Sequence, residues 1–162
     1  MDCSQIRLCE GLTPHPPAET TPADLTALQA LFQVAAFWAQ NRTVEDLGIA
    51  IAHSNPIISV WDDDALIGFA RATSDGIYRA TIWDVVVHPD YRSSGLGRRL
   101  VQTLLAHPHL NRVERVYLMT THQQRFYERL GFESNPSVTM VLDRENGVPF
   151  TPLAAEVSQP AL

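Results

Sequence analysis

The chain contains no lysine; all 12 of its basic residues are arginine. Nothing in it can be modified on a lysine side chain, and the lysine that defines a P-loop is missing. Cysteine is nearly absent. Cys3 and Cys9 stand six positions apart near the start, which makes neither a disulfide framework nor a metal set. No apolar run reaches membrane-spanning length, and no charged-then-apolar leader opens the chain. Together these absences predict a cytoplasmic, reducing location, with no membrane partner and no metal. Positive charge is also in deficit: 12 basic against 18 acidic residues give a net charge of −6. A nucleic-acid partner would call for the opposite sign, whereas an acidic surface suits small cations such as amines.

What is present is enough for one ordinary domain: 162 residues, of which 45% are hydrophobic. Residues 1–145 read as a single domain. Residues 146–162, with Pro149, Pro152 and Pro160, read as a tail. Residues 5–9 suggest a short strand, and a proline-rich loop follows. Thr21-Pro22-Ala23-Asp24 has the form of a helix start: a capping Thr, Pro in the first turn, and an acid near the positive end. Thr43, with Glu45 and Asp46 behind it, predicts a second start.

The period then changes. Residues 57–61 and 65–72 read as a hairpin around Asp62-Asp63-Asp64, which is a solvated turn rather than a metal site. Residues 78–87 form a long β-branched strand. A helix is expected from Leu96, a strand over residues 113–119, a helix over residues 122–130 ending at Gly131, and a last strand pair at residues 132–133 and 138–142. An antiparallel meander before strand–helix–strand argues for a mixed α/β (α+β) fold and against a doubly wound sheet.

The stretch HPDYRSSGLGRRL, residues 88–100, lies where the long strand hands over to a helix. Gly95 and Gly97 let backbone approach a ligand, and a helix start presents unpaired N–H groups in a positive field. That combination seats an anion, most naturally a phosphate. Arg92, Arg98 and Arg99 add charge at the rim, and Ser93 and Ser94 add hydroxyls. The third glycine of a dinucleotide fingerprint is absent.

Arg92-x-x-Gly95-x-Gly97 after a valine-rich strand and His-Pro resembles motif A of the GNAT N-acetyltransferases. Downstream, Phe126-Tyr127-Glu128-Arg129-Leu130-Gly131-Phe132 resembles a second segment of that family, in the same order. The likeness covers about residues 57–142. The segments beginning at Phe69 and Ala80 are similar to the cyanobacterial and plastid branch, which includes plant plastid serotonin N-acetyltransferases. The resemblance implies a GNAT-like fold, a mostly antiparallel mixed sheet of about six or seven strands flanked by about four helices, and it allows a homodimer. It also implies acetyl-CoA as cosubstrate, with pyrophosphate on the main chain of Arg92, Ser93, Ser94, Gly95, Leu96, Gly97 and Arg98. The pantetheine arm would pair with Val85, Val86 and Val87 as another strand would.

The implied chemistry is direct attack of a primary amine on the thioester in a ternary complex. An N–H near Val85 would meet the developing negative charge. Asp84, an acid in an apolar strand, is either the base that receives the amine's proton or the structural partner of Arg71 or Arg79. Strict alternation puts Trp83 and Asp84 on opposite faces, and a bulge here would re-aim one of them. Tyr127 takes the family's position for the acid that protonates the leaving thiolate. Thr120 and Thr121 stand where many members carry an Asn that contacts pantetheine. Phe37, Trp38, Trp61 and Trp83 could wall the site of an arylalkylamine such as serotonin, with at least two of them expected in the core. Alternatives stay open: an acetyltransferase for protein lysines or N-termini, or for aminoglycosides or polyamines; a CoA-binding sensor without turnover; and a phosphate-binding module for some other nucleotide.

Overall fold

The computed structural model describes residues 6–14 and 19–144. By its internal contacts the chain divides into two compact units, residues 1–131 and residues 132–162.

The first unit opens with strand β1, Ile6–Glu10. Helix α1, Pro22–Ala35, starts where the capping residues predict. Asp24 N–H donates to the Thr21 hydroxyl at 3.2 Å, and Thr21 N–H donates to the Asp24 carboxylate at 2.8 Å. This reciprocal pair satisfies two donors that a helix start leaves free. A 3-10 turn, Phe37–Ala39, follows, and then α2, Val44–Ala52, capped by Thr43. Strands β2, Ile57–Asp62, β3, Ala65–Ser74, and β4, Arg79–Val87, form the expected meander. Helix α3, Leu96–Ala106, leads to β5, Arg115–Tyr117, and to the short helix α4, Gln124–Glu128. The sheet order is β1-β2-β3-β4-β5, antiparallel except for the parallel β4–β5 pair.

Helices cover both faces of the sheet. Phe69 of β3 meets Phe32 of α1 edge to face at 5.9 Å. This pair heads a cluster with Leu28, Leu31, Leu47, Trp61 and Val86. Gly68, next along the strand, points to the other side. A Cβ there would lie 3.2 Å from Val60 and 3.3 Å from Leu100 of α3. The missing side chain is what lets α3 close onto the sheet.

Five strands, not six or seven, are found among the described residues. The pair expected at residues 132–133 and 138–142 does not form. In the second unit, residues 132–144 contain no helix or strand. Val138 and Met140 are 87% and 91% exposed, and a hairpin that buries neither face has nothing to fix its register. The tail expected from residue 146 lies outside the described residues.

Candidate active site

The site is built on β4, whose pairing with β3 slips between Phe69 and Arg71. Arg71 pairs with Trp83 and Phe69 with Val86, so Ala70 alone opposes both Asp84 and Val85. This is a bulge. Asp84 adopts φ +54°, a region that Asp tolerates better than the β-branched residues around it. The consequence is visible in Arg71. Its guanidinium lies 5.9 Å from the Trp83 ring centroid, and its Nε donates to Asp84 Oδ2 at 2.7 Å. One side chain touches both neighbours, which strict alternation forbids.

Asp84 Oδ2 also meets Nη1 of Arg42 at 2.9 Å. The carboxylate is 5% exposed although the residue as a whole is half-buried, so its exposure lies in the main chain. Burial pushes the Asp84 carboxyl upward, but the hydrogen bonds and charges of Arg42 and Arg71 outweigh it and hold the group below the usual carboxylate range. Arg71 is steadied by the Ser54 hydroxyl at 3.0 Å. Arg79, the other expected partner, pairs instead with Glu114 at 3.5 Å.

β5 pairs with β4 only at Arg79, Ala80 and Thr81. Residues 82–87 therefore have no strand on that side among the described residues, and Val85, Val86 and Val87 lie along an open edge. Such an edge can take an extended, amide-bearing chain.

The edge runs into the expected anion seat. A 3-10 turn, Pro89–Tyr91, ends β4's path. Tyr91 donates its hydroxyl to Asp62 at 2.6 Å, which fastens the loop to β2 and raises the phenol's pKa. Ser93 and Gly95 both have positive φ, +63° and +85°. Arg99 N–H bonds the Gly95 carbonyl at 3.1 Å, and the N–H groups of Leu96, Gly97 and Arg98 have no partner among the described residues. A Cβ on Gly95 would meet nothing within 4 Å. Three donors without a partner among the described residues, at the start of an eleven-residue helix, fit a phosphate or pyrophosphate. A Cβ on Gly97 would sit 3.5 Å from Phe126 and 3.8 Å from Val87, an ordinary contact. The protein's own packing does not require that glycine.

The remaining expected residues divide. Arg98 is exposed and borders a depression of about 200 Å³ shared with Phe126, Arg129 and Leu130. Arg92 is turned back into the protein, donating to the carbonyls of Val87 at 3.3 Å and Ala35 at 3.4 Å. Ser94 spends its hydroxyl proton on the Tyr91 carbonyl. Tyr127 is half-buried on α4, with its ring edge-on to Phe126 at 4.9 Å, and burial raises its pKa. Thr120 caps the turn into α4 by accepting from Gln123 N–H at 3.1 Å. Of the aromatic set, Trp61 alone is fully in the core. Trp83 is half-buried, with its indole N–H on Thr73, while Phe37 and Trp38 form an exposed edge-to-face pair at 5.1 Å.

Arg42 was missed by sequence reasoning. No local pattern links it to Asp84. The one available signal was charge accounting, because a buried carboxylate has about four lone-pair sites and a single arginine does not fill them.

A sequence profile described as the acetyltransferase (GNAT) family matches residues 25–132. Among curated relatives, the uncharacterized N-acetyltransferase ycf52 of Porphyra purpurea is 39% identical over 100 residues, covering 59% of this chain and 58% of that protein. The chloroplastic GCN5-related N-acetyltransferase 1 of Arabidopsis thaliana is 31% identical over 120 residues, covering 72% of this chain and 60% of that protein. Both matches span less than two thirds of the relative's own length. Among solved structures, a putative acetyltransferase of Deinococcus radiodurans superposes with a TM-score of 0.67 at 28% identity, over 91% of this chain and 96% of that one. No helix among the described residues is long and apolar enough to cross a membrane. With the profile spanning α1 to the end of α4, the bulged strand and the glycine loop that it leads into are those of a member of the GNAT acetyltransferase family, to which this chain belongs.

Proposed function

We propose that the chain moves an acetyl group from acetyl-CoA to a primary amine by direct attack while both are bound, and that the amine is a small arylalkylamine. One observation carries the first half. Among the described residues, the edge of residues 82–87 is open and lies beside the unpartnered N–H groups of residues 96–98. An extended amide chain ending in a pyrophosphate matches that pair of features. In this reading Gly95, Leu96, Gly97 and Arg98 hold the phosphates, and Val85, Val86 and Val87 hold the arm. Arg92, Ser93 and Ser94 shape the loop.

Bound acetyl-CoA would supply the thioester carbonyl that the amine attacks. The Val85 amide is the donor we assign to the charge developing on the acyl oxygen. Tyr127 is assigned as the proton donor to the departing sulfur. Its raised pKa keeps it protonated through neutral pH. Asp84 is engaged by two guanidinium groups, and a carboxyl held below its usual range is a poor match for an ammonium proton. We therefore take Asp84 as an anchor of the bulge, and let the amine lose its proton to water.

The arylalkylamine assignment rests on Phe37 and Trp38, exposed aromatics beside α1, together with the acidic net charge. A cytoplasmic location, one catalytic domain over residues 1–145 and a homodimer complete the proposal. The Arabidopsis relative's name points for that protein to the chloroplast.

Titration calorimetry with acetyl-CoA, CoA and ATP tests the seat, and thiol release with arylalkylamines, polyamines, lysine peptides and free N-termini tests the transfer. The proposal predicts binding of both CoA forms, weaker binding of ATP, and fastest release with arylalkylamines. Fastest release with peptides would move the assignment to protein amines, and binding without release would make the chain a sensor.

A further inference from the structure

The α1–α2 connection is fastened to both ends of the valine run in β4. Arg42 ends that connection and reaches Asp84, immediately before Val85, at 2.9 Å. Arg92 bonds the Val87 carbonyl and, from the same guanidinium, the Ala35 carbonyl near the end of α1. The connection itself is stiffened from within. Gln29 donates to the Arg42 carbonyl at 3.0 Å, Gln33 donates to the Gln40 carbonyl at 2.6 Å, and the Arg42 guanidinium lies 5.3 Å from the Phe32 ring centroid. The exposed pair of Phe37 and Trp38 rides on this segment.

A buried acid already paired with Arg71 gains little stability from a second cation, because desolvation offsets much of the attraction. What Arg42 adds is a mechanical tie. Asp84 sits at φ +54°, a backbone state that persists only when its surroundings hold it there. Arg71 holds it from β3, inside the sheet, and Arg42 holds it from outside the sheet, on the segment that carries the aromatics. The two guanidinium groups differ in burial. Arg71 is 15% exposed and Arg42 33%, so Arg42 can be removed while Asp84 keeps its inner partner.

We propose that Arg42 is a positioning residue for the transfer: by clamping Asp84 it fixes the bulge, and so holds the Val85 main chain in register with the turn that carries Phe37 and Trp38. This rests on the acetyl-transfer reading of the same site. Acceptor side and acyl side are then one rigid assembly, and a substrate seated against the aromatics meets the Val85 amide at a set distance.

Arg42→Gln, Arg42→Lys, Asp84→Asn and the Arg42→Gln/Asp84→Asn double variant test it, each first checked for folding by circular dichroism. The proposal predicts that Arg42→Gln lowers kcat by about tenfold or more while acetyl-CoA affinity stays within about twofold, and that Arg42→Lys recovers most of the loss. In the Asp84→Asn background Arg42→Gln should add nothing further. Should the Gln variant fail to fold, the Lys variant, which keeps a cation beside Asp84 and leaves the Arg71 pair intact, carries the comparison. Unchanged kcat in Arg42→Gln, or an equal loss with and without Asp84, would overturn the proposal. Two readouts need no turnover. The Asp84 carboxyl, faced by Arg42 and Arg71, should titrate higher in Arg42→Gln by carbon NMR, and the β3–β4 amides flanking the bulge should exchange faster. A wild-type protein that binds no acetyl-CoA would sink the functional reading, and the exchange of the paired amides flanking the bulge would still decide whether Arg42 holds it.

Discussion

Nε of Arg71 lies 2.7 Å from Oδ2 of Asp84, and the same guanidinium sits against the ring of Trp83. Two consecutive residues of a regular strand cannot both face one arginine, so the contact requires the bulge. Replacing the carboxylate tests the converse. Asp84→Asn leaves the largely buried Arg71 beside a neutral amide, and removing one partner of a buried pair costs about 3–5 kcal/mol. Urea denaturation should show a loss of that order. A loss below about 1 kcal/mol would mean that the bulge stands without the ion pairs.

Acid stability follows from the same carboxyl. Its folded pKa is depressed below the unfolded value of about 3.9. The stabilisation is therefore complete above about pH 4 and is lost as pH falls through the lower, folded value. Thermal melts of the wild type should drop in that acid range, and Asp84→Asn, less stable throughout, should show a shallower drop.

Gly97 separates packing from binding. A Cβ there makes only ordinary contacts, at 3.5 Å or beyond. Gly97→Ala should leave the melting temperature equal or raise stability by up to about 1 kcal/mol, since Ala favours helix over Gly. Acetyl-CoA affinity should fall by about tenfold or more, because the methyl group enters the path of the phosphates. Gly95→Ala behaves differently. At φ +85° a side chain costs about 1–2 kcal/mol of stability whatever is bound.

Tyr127→Phe removes the assigned proton donor and keeps the ring against Phe126. Turnover should fall by about 10²–10⁴, with acetyl-CoA affinity within about twofold. In the wild type the donor is lost only when the phenol ionises, above its raised pKa, so this group should place no limb on the pH–rate profile below about pH 10. An undiminished rate in the variant would remove Tyr127 from the chemistry.

Trp38 is half-exposed and belongs to the assigned acceptor wall. Trp38→Ala should change stability by no more than about 0.5 kcal/mol. It should raise KM for arylalkylamines while leaving polyamines untouched. An equal effect on both amine classes would count against an aromatic acceptor.

Much of this was legible in the sequence because it is local. Thr21, Pro22 and Asp24 carry their own helix start, and Gly95 marks a left-handed turn that few other residues would accept. The meander was legible from its period. The partner of Asp84 was not, since Arg42 reaches it from 42 positions away through the packing of α1 on the sheet. Strand lengths failed for a related reason. Apolar alternation over residues 113–119 predicts extended chain, but only residues 115–117 find β4 within reach. Residues 138–142 have the composition of a strand and, among the described residues, no face to bury. Ser94 and Arg92 look like ligand groups from their position, yet Ser94 is spent on the Tyr91 carbonyl and Arg92 on the carbonyls of Val87 and Ala35. That is a matter of rotamers, which spacing does not encode.

The central claim is that one strand edge and one helix start hold the two halves of the same cosubstrate. Amide hydrogen exchange with and without acetyl-CoA measures both at once. Joint slowing at residues 82–87 and 96–98 is the predicted result; binding that leaves either stretch exchanging as in the free protein would contradict it.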